Sequence, residues 1–217
     1  MNHSSSNQHI SNSQEPLSTL SRFDWGDAIE AYAFYGRQTE RLQLEQWIRQ
    51  EHCKVVSVLG MGGIGKSALA VASMHQVAPT FQSVVFRSIR NATSCQDLLT
   101  DCLQVFLPQP LPTLPTSSDQ CIDLLIECFQ TQRSLLVLDN LETLLQEHDP
   151  EGRYCPGYED YAKLLSRVAE TPHQSCLLIT SREAPAELGQ QERNGTSVRK
   201  LHLKGLESEA CEQLFTD

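Results

Sequence analysis

The chain reads as a three-layer α/β fold, a five-stranded and mostly parallel sheet with helices on both faces, and three observations predict it. Short apolar, β-branched runs alternate with stretches whose hydrophobic residues recur at helical spacing, the order that gives strand–helix–strand crossovers. Those runs are mostly apolar, as strands covered on both faces should be. Between the first run and the helix after it lies Gly60-Met61-Gly62-Gly63-Ile64-Gly65-Lys66-Ser67, which fills every fixed position of G-x-x-x-x-G-K-[ST], the phosphate loop of P-loop NTPases.

The elements follow in order. Residues 1–22, rich in Ser, Asn and Gln, are expected to form a disordered lead to a nucleotide-binding domain over 23–205. Leu44, Trp47 and Ile48 share one face of a helix over Arg37–Glu51, and Lys54–Leu59 is the first strand. After the phosphate loop, the small residues from Ser67 to Ala72 suit a helix packed close to a sheet, and Val84–Ile89 supplies the second strand. Cys95, Leu98, Leu99, Cys102, Leu103 and Phe106 repeat at helical spacing, and Pro108, Pro110, Pro112 and Pro115 then stiffen a loop. A helix over Ser118–Gln130 turns Cys121, Leu124, Leu125 and Cys128 inward before the strand Ser134–Asp139. An irregular stretch, His148–Gly157, precedes a helix carrying Tyr161, Leu164, Leu165 and Val168 and the strand Ser175–Thr180. The fifth strand spans Val198–Leu203, and Leu206, Ala210, Cys211, Leu214 and Phe215 begin a helix cut off at Asp217. Residues 206–217 are therefore expected to be the truncated start of a helical subdomain.

The loop carries the chemistry. Four glycines among Gly60–Gly65 allow backbone angles that a Cβ forbids, so successive N–H groups can surround a phosphate at a helix N-terminus. Lys66 adds a charge for the terminal phosphates and Ser67 a hydroxyl for magnesium. Gly60, Gly62 and Gly65 also spell the dinucleotide fingerprint G-x-G-x-x-G. That reading wants an acidic residue about twenty positions on, and the second strand ends in Arg87 and Arg90 instead.

Two strand ends extend the site. Ser134-Leu135-Leu136-Val137-Leu138-Asp139 has the form of a Walker B strand, whose final aspartate organises magnesium. The strand ending at Thr180 runs into Ser181-Arg182, which puts an arginine on the ligand edge of an open α/β sheet. There it could sense a terminal phosphate or be a solvated surface residue.

A net charge of −10 over 217 residues argues against nonspecific binding to nucleic acid or an acidic membrane surface. No run is long enough to span a bilayer and the first residues lack a signal-peptide apolar block, so a cytoplasmic location is expected. None of the eight cysteines forms a C-x-x-C pair. They read as small core hydrophobes and not as a zinc site or a disulfide framework.

The order Phe34-Tyr35-Gly36-Arg37, helix, GMGGIGKS, LLVLDN, LLITSRE and LHLKGLESEACEQLF resembles the NB-ARC domain of STAND-class signalling ATPases, over roughly Trp25 to Asp217. It is most similar to the bacterial branch that often carries C-terminal WD repeats. The resemblance implies that Phe34, Tyr35, Gly36 and Arg37 line the base and ribose, with Gly60 to Ala68 around the phosphates. It also implies that Ser67 and Asp139 hold magnesium and that Arg182 senses the γ-phosphate. The family commonly has a second acidic residue after the magnesium aspartate, where this chain has Asn140; an amide orients water but cannot accept its proton. Glu142 is the nearest carboxylate. The resemblance thus implies an ADP/ATP switch with slow hydrolysis at most, self-associating when ATP-bound and restrained by a downstream sensor region. The alternative is a P-loop kinase or fast NTP hydrolase acting on a small acceptor.

Overall fold

A computed structural model describes residues 21–28, 36–109, 113, 115–147, 149, 151–193 and 197–205. Its strands are β1 (Arg22–Asp24), β2 (Val55–Leu59), β3 (Ser83–Ser88), β4 (Ser134–Asp139), β5 (Cys176–Ser181) and β6 (Val198–His202). Its helices are α1 (Gln38–Glu45), α2 (Lys66–Val77), α3 (Cys95–Phe106), α4 (Ser118–Thr131), α5 (Asp160–Glu170) and α6 (Ala186–Arg193).

Among the described residues the strands form one sheet in the order β1-β3-β4-β5-β2-β6, and every pair is parallel. Parallel pairing puts all the C-terminal strand ends on one edge. The register aligns them, Leu59 with Ser181 and His202, and Ser88 with Asp139. The chain leaves β2 for β3 on one side and later adds β6 on the other, so the crevice at the end of β2 is the topological switch point, where open α/β sheets take ligands.

Alternate residues of each strand feed two cores. Val55, Val85, Leu136, Leu177 and Ile179 pack under α3, α4 and α5 with Leu99, Phe106, Leu125, Phe129 and Leu165. Val56, Val58, Val84, Leu135, Val137 and Leu178 pack under α1 and α2 with Leu44, Ile48, Leu69, Val71 and Met74. Burial on both faces is why β2, β4 and β5 are mostly apolar, with every residue of the three buried. Ser94 and Ser117 cap α3 and α4, accepting bonds from the Asp97 and Gln120 amides at 3.1 and 3.3 Å. No helix among the described residues is long and apolar enough to cross a membrane.

The sheet has six strands where the sequence predicts five. The extra strand, β1, has three residues, too few to show a period, and its first residue, Arg22, falls inside the expected lead. It is recruited by tertiary pairing with β3. The helix expected over Arg37–Glu51 is α-helical to Glu45 and widens into a π turn over Gln46–Gln50, which keeps Trp47 and Ile48 buried while the Cys53 amide bonds the Trp47 carbonyl at 2.9 Å. Helix α6 was unexpected because it is short, with Leu188 as its contribution to the core. The helix expected from Leu206 lies outside the described residues.

Seven of the eight cysteines are described and free; six are buried and Cys155 is half-buried. Burial pushes the Cys53 and Cys128 thiols up to about 11 and those of Cys95 and Cys102 up to about 12. At such values almost no thiolate exists near neutral pH. An alkylating reagent at about pH 7.5 is therefore expected to modify Cys155 well ahead of the six buried thiols. Peptide-mapped mass spectrometry would read the order, and equal rates at Cys102 and Cys155 would contradict this core.

Candidate nucleotide site

The loop after β2 closes over the edge of the sheet. Gly60 adopts φ 155°, and a Cβ there would meet the Leu203 carbonyl oxygen at 3.0 Å, so only glycine lets the loop leave the strand so close to the end of β6. The Gly60 amide bonds the Ser181 carbonyl at 3.2 Å and the Leu203 amide bonds that of Leu59 at 2.7 Å, fixing the loop base to both neighbouring strands. Gly65, at φ 98°, is the N-cap of α2 and brings no side-chain acceptor to the first turn. The leading N–H groups of a 12-residue helix therefore face the loop without a side-chain cap, the arrangement that favours an anion. A Cβ on Gly63 or Gly65 would meet nothing within 4 Å, so it is their positive φ of 75° and 98° and not crowding that favours glycine there.

Lys66 is 6% exposed and folds back on the loop, its Nζ donating to the Gly60 and Met61 carbonyls at 2.9 and 3.1 Å. Burial holds its ammonium below the usual lysine value, while Glu142 and Asp139 oppose that shift and Arg182 adds to it. Three charged side chains thus act on Lys66. Arg182 lies against the loop, its guanidinium 3.3–3.5 Å from where a Gly62 Cβ would be, and its Nε is 3.3 Å from Glu142 Oε1.

Asp139 ends β4 almost wholly buried, and its Oδ1 accepts a 2.5 Å bond from Thr180 Oγ1 on β5. The same Thr180 oxygen accepts the Asn140 amide at 3.0 Å. Asn140 stands in the left-handed region (φ 65°, ψ 42°), which asparagine tolerates better than most residues, and starts a 3-10 turn over Leu141–Leu144. That turn brings Glu142 round to face Lys66 and Arg182. Asn140 Oδ1 and Glu142 Oε2 are buried without protein partners. Ser67 and Asp139 line one cavity of about 320 Å³ together with Asp27, Phe86, Ser88, Arg90 and Asn91. A hydroxyl and a carboxylate facing one polar cavity are the hard-oxygen donors that suit magnesium.

The fold thus brings Gly60–Ser67, Asp139, Glu142 and Arg182 into one crevice, with Met61 exposed on its rim and Ala68 in the first turn of α2. The Arg37 guanidinium is bonded to protein groups. It donates to the Ile64 and Lys204 carbonyls at 3.3 and 2.7 Å and pairs with Glu40 at 2.9 Å, tying the phosphate loop to the chain after β6. Gly36, beside it, adopts φ 71°. Phe34 and Tyr35 lie outside the described residues. Sequence reasoning missed Asp27, Ser88, Arg90, Asn91 and Thr180. For Thr180 a signal existed, a polar residue closing an otherwise apolar strand; for Asp27 there was none, because β1 places it.

A parallel sheet with an uncapped helix N-terminus behind a glycine loop, a lysine in the loop and a buried strand-end aspartate define a P-loop nucleotide-binding domain. The NB-ARC domain family model matches residues 37–147, just over half of the chain. The chain belongs to the NB-ARC family. It is 38% identical over 200 residues to an uncharacterized WD repeat-containing protein of Nostoc sp., a match covering 88% of this chain and 16% of that protein. Among solved structures it resembles the Aeropyrum pernix ORC2 protein, determined as ADPNP–ADP complexes, with TM-score 0.61, 18% identity, and coverage of 88% of this chain and 53% of that one. A STAND protein with a tetratricopeptide repeat sensor from Pyrococcus horikoshii gives TM-score 0.55 and 16% identity, over 88% of this chain and 26% of that one. At those identities the likeness is one of fold.

Removing the Arg37 clamp tests how the loop is held. Arg37→Ala is expected to lower the unfolding free energy of the nucleotide-free chain by about 2 kcal/mol, since buried charge-assisted bonds are lost. A urea unfolding curve with an unchanged midpoint would show that the clamp is idle.

Proposed function

We propose that this domain binds ADP at rest and ATP when activated, and that it acts as a signalling switch with slow hydrolysis at most. The observation that carries the proposal is Arg182, a strand-end cation laid against the phosphate loop at Gly62 and tethered by Glu142. A cation so placed distinguishes a triphosphate from a diphosphate, because its bonding changes only when a third phosphate arrives. A ligand moves a two-state element only through such a difference.

The chain's own groups divide the work. The amides from Gly62 to Ser67 take the phosphate oxygens, and Lys66 exchanges its two carbonyl bonds for phosphate. Ser67 and Asp139 would hold magnesium, which would offset phosphate charge. Family resemblance assigns Phe34, Tyr35 and Gly36 to the base and ribose, and Arg37 secures that end of the loop. Asn140 aligns water without taking its proton. Glu142 is the carboxylate at hand, but it is committed to Arg182, so turnover is slow. Membership in the NB-ARC family and the WD repeat-containing relative support a cytoplasmic signalling protein whose downstream sensor restrains self-association of ATP-bound domains.

Lys66→Ala is expected to weaken ATP binding by about 2–3 kcal/mol, about thirty- to more than a hundredfold, as charge-assisted bonds are lost. Calorimetry giving the wild-type affinity would overturn the site. Arg182→Ala separates the two nucleotides: about a tenfold loss for ATP with ADP binding unchanged is expected. Equal losses for both would remove Arg182 from γ-phosphate sensing.

A further inference from the structure

The residues before the phosphate loop build something that the site as described leaves unused. β1 lies parallel to β3 and in register with it, Arg22 opposite Ser83 and Asp24 opposite Val85. The turn that follows is pinned at several points. The Ala28 amide bonds the Trp25 carbonyl at 2.9 Å, and the Asp24 carboxylate accepts the Gly26 amide at 3.0 Å. Asp24 is also paired with Arg87 at 2.7 Å, and Arg87 bonds Asp101 in turn. Trp25 packs on the His75 ring of α2 with centroids 4.5 Å apart. Gly26 takes φ 49° so close to β3 that a Cβ would sit 2.6 Å from the Phe86 carbonyl oxygen.

These contacts deliver one side chain to one place. Asp27 Oδ1 accepts the Ser88 amide at 3.3 Å, at the end of β3. Ser88 is the residue in register with Asp139 on β4. Asp27 is thus held at the end of β3, beside the β4 end that carries Asp139, and both line the same cavity of about 320 Å³ as Ser67. Among the described residues the Asp27 carboxylate accepts one bond, which leaves most of its acceptor capacity.

We infer that Asp27 is the second carboxylate of the magnesium site, acting on the ion's water shell from the β1 turn, where Asn140 cannot supply that charge from β4. The inference rests on the nucleotide-binding reading above. Magnesium dehydrates reluctantly and keeps several waters, so a carboxylate across a cavity of this size engages it through water. Such a partner orients the shell without being a direct ligand. The pinned turn has a purpose in this account: it fixes Asp27 against Ser88, close to Ser67 and Asp139. Arg90 and Asn91, after β3, line the same cavity.

The test uses Mn²⁺ as a spin probe in the full chain. Free Mn²⁺ is titrated by electron paramagnetic resonance in the presence of saturating ADP, and ADP affinity is measured separately in EDTA. Asp27→Asn keeps an oxygen for the Ser88 amide, so its melting temperature without nucleotide should match wild type. Its Mn²⁺ affinity should fall about tenfold while its ADP affinity in EDTA is unchanged. Asp27→Ser, a second neutral variant, should show the same loosening, and Asp139→Asn a larger one. Wild-type Mn²⁺ affinity in both Asp27 variants, with Asp139→Asn impaired, would overturn the inference and leave the nucleotide site standing. Failure of the wild-type chain to bind ADP in EDTA would overturn the parent reading, and this inference with it.

Discussion

The uncapped N-terminus of α2, held in front of a glycine loop at the end of β2, is the constraint on which everything else turns. A helix start leaves four N–H groups without intrahelical partners. In this chain no side chain caps them: the N-cap is Gly65, and Lys66 bends away to its own loop carbonyls. Burying such a terminus against a sheet without acceptors is costly unless an anion supplies them. Sheet order does the rest. With β2 flanked by β5 and β6, and β4 one strand further, Asp139 and Arg182 reach the same edge as the loop.

Electrostatics then sort the groups. Lys66 is buried, which disfavours its charge, and sits within reach of Asp139 and Glu142, which favour it. Glu142 also holds Arg182. Before ligand arrives, each cation thus has a protein partner of modest strength, a carbonyl pair for Lys66 and one carboxylate for Arg182. A phosphate chain competes with such partners effectively, since its bonds to cations are charge-assisted at both ends. Thr180 has the opposite task, fixing Asp139 and the Asn140 amide with one hydroxyl.

The phosphate loop, the order of strands and helices and the strand-end Asp139 were legible because each is written locally, as a fixed-spacing motif or an apolar run with a polar stop. The cysteines at helical spacing on α3 and α4 were legible as core for the same reason. What escaped depends on contacts distant in sequence. β1 is a strand because β3 offers an edge, and Asp27 reaches the cavity through Gly26, Asp24 and Arg87, which no period connects. Glu142 faces the site because Asn140 adopts a left-handed conformation, and its side-chain direction cannot be read from the residue's type alone. Arg37 reads as an adenine-end residue by family resemblance, yet its guanidinium bonds Ile64 and Lys204, carbonyls 27 and 167 positions away.

The loop amides themselves offer the most direct measurement. In ¹⁵N-correlated spectra of the isotopically labelled chain, addition of ADP should move the amide resonances of Gly63, Gly65, Lys66 and Ser67 far downfield or upfield of their free positions, while amides in β1 stay in place. Resonances of those four residues unchanged at saturating ADP would contradict the account.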